Sequence, residues 1–435
     1  MRTLHTPHRS HTTSKFCRPA LVATLIPGLL TGITVVPAHA QPQVPEAVGE
    51  YLPATLPPVQ HDGAPVPQPF GPQEYGWYLS DLSSYDGGIY YGVVRGFEDL
   101  RANHPEVMAD NLDTVVEVNN NADAETVRRA QVDAAADSGD LLTALSDGFG
   151  ETVGEALRTS LAENRLPKTR ALLDSGYLSR AGGVASSTLI EKEIFGYDRP
   201  FEVAPERITK HTHGGNDDLY ELGGSKAFPS GHTNQASWTT TLLAVLLPEL
   251  APQLIARGAE AGFNRMVMGV HYPLDVIGGR MTGQAAAGDR WNDPRMRDVL
   301  RQAGQELRKE LEWRTGQALA EAVAADTPYR STQDAVSEFT QRMTHGLDRV
   351  GDQDARLTVP QGAPELLVNA YPDLDWGQRA RVLAATALPA GYPLDDQTPE
   401  GRKVGNWQRI NLAASFAADV VVGADGALTV NGTPA

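Results

Sequence analysis

Cysteine is almost missing from this 435-residue chain: Cys17 is the only one. A single thiol excludes a disulfide framework and a cysteine-based zinc site. Positive charge is in short supply as well. Asp and Glu number 54 against 37 Lys and Arg, a formal net charge of −17. A surface of that sign repels phosphate backbones and excludes a general nucleic-acid binder. No segment after residue 40 holds eighteen consecutive apolar residues, so no transmembrane span is expected there. Nor is there a G-x-G-x-x-G fingerprint, a strand–helix alternation or an internal repeat, which argues against a dinucleotide fold or a solenoid.

Hydrophobic residues make up 41% and charged residues 21%, enough apolar mass for a full core. The first forty residues have the marks of a leader. Arg2, Arg9, Lys15 and Arg18 precede the apolar run Pro19–Val36, and Ala38-His39-Ala40 follows. A basic region, an apolar region and an A-x-A site form a secretory signal, with cleavage expected before Gln41. The alternative is an uncleaved anchor, against which stand Pro27 and Gly28 inside the run. Cleavage would leave 395 residues, a charge of −21 and no cysteine. The expected location is secreted, periplasmic or extracellular, with no stable membrane insertion.

Residues 41–75 are rich in Pro and Gln and read as an extended arm that wraps the core or stays free of it. Helical patterns dominate from there. Asp123 can cap a helix, and 150–163 and 166–174 suggest two more. A helix over 182–195 would stop at Gly196 and Pro200. Residues 234–249 and 251–264 read as a helical hairpin, and Pro273 can open a helix toward Ala287. Residues 293–323 look like one charged amphipathic stretch, and 418–430 like a small terminal hairpin. The expected class is all-α: a catalytic helical bundle over 76–330, with a less regular region over 331–435 packed on it.

Three motifs stand out. His271 and Asp275 are four apart at a helix start, where a carboxylate can fix one ring nitrogen and raise the basicity of the other. Arg265 adds a forked donor for an oxyanion. A structural His–Asp pair beside a surface arginine is the plainer reading. Pro229-Ser230-Gly231-His232 precedes an apolar helix, whose N-terminal amides suit an anion and to which Ser230 can add a hydroxyl. A simple Ser cap is the plainer reading. Lys192 and Arg199 are seven apart, nearly two helical turns, and could face one anion or be solvated cations. Taken together they fit a tetrahedral oxyanion such as phosphate. His211 and His213, with Asp217 and Asp218, could hold a metal or form a polar loop beside the mouth.

In this arrangement the sequence resembles the type 2 phosphatidic acid phosphatase superfamily, which includes class A bacterial acid phosphatases and vanadium haloperoxidases. The family pattern K-x6-R-P, P-S-G-H and S-R-x5-H-x3-D is matched by Lys192 to Pro200, Pro229 to His232 and Arg265 to Asp275. Asn264 stands where the family has Ser. The resemblance implies a helical bundle and a metal-independent phosphatase of small phosphomonoesters, with no cofactor. It implies His271 as nucleophile, Asp275 as its partner and His232 as acid and base. Lys192, Arg199, Arg265, Ser230 and the Gly231 amide would bind phosphate. A lipid-phosphate or diphosphate phosphatase, a vanadate-dependent haloperoxidase and a non-enzymatic phosphate-binding module remain as alternatives. A homo-oligomer stays open.

Overall fold

The computed structural model describes residues 57–74, 83–136, 140–174, 187–212 and 217–435. The expected leader, about half of the arm and His213 lie outside these residues. Helix accounts for about 60% of the structure and strand for 2%, so the chain is all-α.

Single-turn pieces aside, the chain runs first through α1 (Gly96–Asn103), α2 (Pro105–Asn121) and α3 (Ala124–Ala135). The Asp123 carboxylate caps α3 by accepting from Thr126 N at 2.8 Å. Next come α4 (Thr152–Ala162), α5 (Pro167–Leu173) and α6 (Leu189–Phe195). The described part of the helix expected over 182–195 begins only at Leu189. Thr188 before it has φ 65°, a left-handed conformation that no α-helix continues through.

The centre is built by α7 (Gly231–Leu246), α8 (Ala251–Val267) and α9 (Pro273–Asn292). Helix α7 is buried on nearly every side, as befits an element that packs on both α8 and α9. Two glycines permit the close approach of α9. A Cβ on Gly279 would lie 2.5 Å from the Ser230 carbonyl, and one on Gly283 would lie 2.5 Å from that of Asn234. Trp238, Leu242, Leu254, Leu274, Ile277 and Met281 belong to the core formed there.

Helix α10 (Pro294–Thr315) and α11 (Leu319–Ala325) occupy the helical stretch expected over 293–323. Gly316, at φ 69°, ends α10 in a left-handed cap. After α12 (Thr332–Arg342) and α13 (Trp376–Ala385), the chain closes with three antiparallel strands. In the hairpin of β1 (Val420–Val422) and β2 (Leu428–Val430), Val420 pairs with Val430, and β3 (Thr433–Pro434) adds to β2.

The described part of the Pro-rich stretch lies along the helices. Val59 N donates to Glu163 O, and the Arg165 guanidinium donates to the carbonyls of Val59 and Pro65 at 2.7 and 2.8 Å. The C-terminal region reaches the centre directly. Buried Arg280 on α9 donates to Gln408 O at 2.9 Å, and Asn369 donates to Val245 O on α7 at 2.7 Å. No helix among the described residues is long and apolar enough to cross a membrane.

Candidate active site

Pro273 opens α9, where its fixed φ fits the first turn and its missing N–H costs nothing. That start holds the His271–Asp275 pair. Asp275 Oδ2 accepts from Tyr272 N at 2.9 Å and from His271 Nδ1 at 3.1 Å. A carboxylate accepts, so Nδ1 carries the proton and Nε2 keeps its lone pair. An Arg199 Nη1–H donates to that Nε2 at 3.1 Å. His271 is 1% exposed. Burial holds its pKa well below the usual imidazole range, and Arg199, Lys192, Arg265 and His232 push the same way. Burial raises the pKa of Asp275. At neutral pH the resting ring is therefore an uncharged imidazole.

The P-S-G-H turn is tied to this corner through backbone, with Ser230 N donating to Asp275 O at 2.9 Å. The Ser230 hydroxyl oxygen accepts from Thr233 N at 3.3 Å and from the Thr233 hydroxyl at 2.9 Å. It is a helix cap, fully buried, and does not line the cavity. Gly231 does line it, at the N-terminus of α7, where the first amides lack intrahelical acceptors and the dipole is positive.

Lys192 and Arg199 do not share a helix, contrary to the two-turn spacing. Helix α6 ends at Phe195, and Gly196, at φ 56°, turns the chain before Arg199. The two converge because both are held by the carbonyls of 225–227. Arg199 donates to Ser225 O at 2.7 Å, Lys226 O at 3.2 Å and also Val270 O at 2.9 Å. Lys192 Nζ donates to Lys226 O and, at 3.2 Å, to Ala227 O. Burial pushes Arg199 down to about 10, which leaves it charged at neutral pH. The third cation, Arg265, comes from the last turn of α8 and is 2% exposed.

These groups surround a cavity of about 370 Å³, lined by Lys192, Arg199, Gly231, His232, Arg265 and His271. Asp275 and Ser230 stand behind it. The remaining wall comes from Ser187 and Leu189 and from Glu221, Leu222, Gly223 and Ser225. Residues 83–120 contribute none of it. The carbonyl shelf at 225–227 and the Leu189 edge had no signal in the sequence, since backbone acceptors look alike in every residue.

His232 faces the same cavity. Its Nε2 lies 3.3 Å from Ala134 O, in the last turn of α3. A carbonyl only accepts, so Nε2–H is the donor, and in the neutral ring Nδ1 carries the lone pair. Asn264 turns away from the cavity and donates to Asp133 at 2.7 Å. His211 is bonded to Asn119 O at 3.1 Å, and no group of His, Cys, Asp and Glu among the described residues could hold a metal.

A buried histidine, three cations, a helix N-terminus and a second histidine meet on one cavity in a helical bundle, an arrangement whose chemistry suits a tetrahedral anion. Residues 173–296 match the PAP2 superfamily. It is homologous, at low identity, to bacterial non-specific acid phosphatases. The non-specific acid phosphatase of Providencia stuartii is 26% identical over 186 residues, 42% of this chain and 68% of that protein. That of Salmonella typhi is 31% identical over 117 residues, 27% of this chain and 44% of its own length. The acid phosphatase of Zymomonas mobilis is 32% identical over 92 residues, 21% of this chain and 35% of the relative. Against the latter two, the matched stretch spans less than half of the relative.

Proposed function

We propose that the protein is an exported, metal-independent acid phosphatase that hydrolyses phosphomonoesters through a phosphohistidine. The observation that carries this reading is His271 Nε2, a lone pair held at the edge of a cavity that also receives Lys192, Arg199 and Arg265. Nε2 attacks phosphorus while the bond to the leaving oxygen breaks, and His232 Nδ1 gives that oxygen a proton. Asp275 holds Nδ1–H and balances the positive ring as the N–P bond forms. Arg199, Arg265, Lys192 and the α7 amides take the charge on the equatorial oxygens. Water then attacks phosphorus, His232 takes its proton, and the N–P bond breaks to release phosphate. Leu189 at the mouth is 49% exposed, which suits leaving groups with an apolar portion and keeps lipid phosphates among the substrates to try. The leader supports export.

The test is a substrate panel of monoesters, diphosphates and phosphatidic acid, run with and without EDTA. Activity on monoesters survives EDTA and is inhibited by vanadate, which can adopt the trigonal-bipyramidal shape of the transferring group. Loss in EDTA with recovery on adding zinc or magnesium would overturn the mechanism. Bromide oxidation by peroxide, appearing only after vanadate addition, would replace it with the haloperoxidase reading.

A further inference from the structure

Behind His232 lies a buried charge cluster that the chemistry above leaves unused. Asp133, in the last turn of α3, is 7% exposed, and Arg257, on α8, is 1% exposed. The guanidinium grips the carboxylate with both Nη atoms, at 2.6 and 3.1 Å, and Asn264 Nδ2 donates to the same carboxylate at 2.7 Å. One turn earlier on α3, Arg129 donates to both oxygens of Glu260 on α8, at 2.8 and 2.7 Å. The C-terminal end of α3 is therefore clamped to α8 at two successive turns.

The residue after Asp133 is Ala134, whose carbonyl accepts from His232 Nε2. Carbonyls in the last turn of a helix lack intrahelical donors and carry the negative end of the dipole. That end faces the ring that must deliver a proton. The bond also fixes which nitrogen stays protonated, and so which one can serve the leaving group.

We propose that Asp133 is a positioning residue for proton transfer: by clamping the last turn of α3 onto α8 it holds the Ala134 carbonyl against His232 Nε2 and so aims Nδ1. This rests on the phosphatase reading. Asp133 touches no substrate and acts only through His232.

That restriction supplies the test. Asp133→Asn keeps the shape and removes the charge. It is made in the wild-type and in the His232→Ala backgrounds, and kcat is measured on an alkyl phosphate and on p-nitrophenyl phosphate. In the wild-type background the alkyl phosphate loses at least ~10-fold, a part of the ~10²–10⁴-fold that a positioned acid contributes. The aryl ester, whose leaving group needs little protonation, loses no more than about threefold. In the His232→Ala background the substitution changes either rate less than about twofold, because two residues on one path are not additive. Equal losses on both esters, or the same loss in both backgrounds, would mean a purely structural cluster and overturn the proposal. Should Asp133→Asn fail to fold, Asn264→Ala removes one anchor and leaves the Arg257 pair. It should lower the alkyl-to-aryl ratio about two- to fivefold, on the same logic, and an unchanged ratio overturns the proposal. If the wild-type protein hydrolyses neither ester, the phosphatase reading falls and the proposal falls with it.

Discussion

The two histidines of the site live in opposite surroundings. His271 is enclosed at the start of α9, with each ring nitrogen engaged inside the protein: Nδ1 by Asp275 and Nε2 by Arg199. His232 is half-buried at the start of α7 and is bonded to the carbonyl of a helix end. One environment penalises a positive ring until an anion arrives, and the other offers a proton-bearing ring an acceptor. A nucleophile needs the first and an acid the second. On the proposed mechanism the same side chain would serve two roles, separated by burial and by the partner of one nitrogen.

The largest break in this contrast is His271→Ala. It removes the attacking atom, so both alkyl and aryl phosphates should lose ~10⁴-fold or more in kcat, the scale of removing a member of a catalytic unit. A variant within tenfold of wild type would show that phosphorus is attacked by something else. His232→Ala comes next, with a loss of about 10²–10⁴-fold on alkyl phosphates and much less on p-nitrophenyl phosphate. On the proposed mechanism His232 also activates water, so the variant should accumulate phosphate on His271. An alkaline quench preserves that bond, and phosphate trapped on a serine or aspartate instead would refute the assignment.

The smallest effect sharpens the contrast through pH. With its pKa held well below 6.5, His271 in the free enzyme stays neutral to lower pH than an ordinary histidine. Protonation abolishes the lone pair, so activity is lost as pH falls through the depressed value, not through 6.5. The acidic limb of kcat/KM, measured with correction for the ionisation of the ester, should therefore lie below 6.5. A limb at or above 6.5 would mean that burial does not govern this ring.

Much of the bundle was legible before the structure. The α7–α8 hairpin, the Pro273 start of α9, the Asp123 cap and the C-terminal hairpin all have local causes: apolar periodicity, a fixed φ, a side-chain acceptor. The error over 182–195 was also local in origin. Thr188 adopts left-handed backbone, which its residue type does not announce, whereas Gly316 ends α10 in the left-handed cap that glycine favours.

For the site, the sequence by itself determined the inventory. Lys192, Arg199, Ser230, Gly231, His232, Arg265, His271 and Asp275 come with motif spacings that resemble a known phosphate-handling pattern. Only the tertiary structure decided how they divide the work. It turned Ser230 into a cap behind the wall, and it brought Lys192 and Arg199 together on carbonyls 225–227 and not on a helix face. It set the α3 carboxyl end against His232 across about a hundred residues of chain. Side-chain chemistry is written residue by residue, whereas backbone acceptors are common to every position. Which carbonyl meets which side chain is fixed only when distant helices pack.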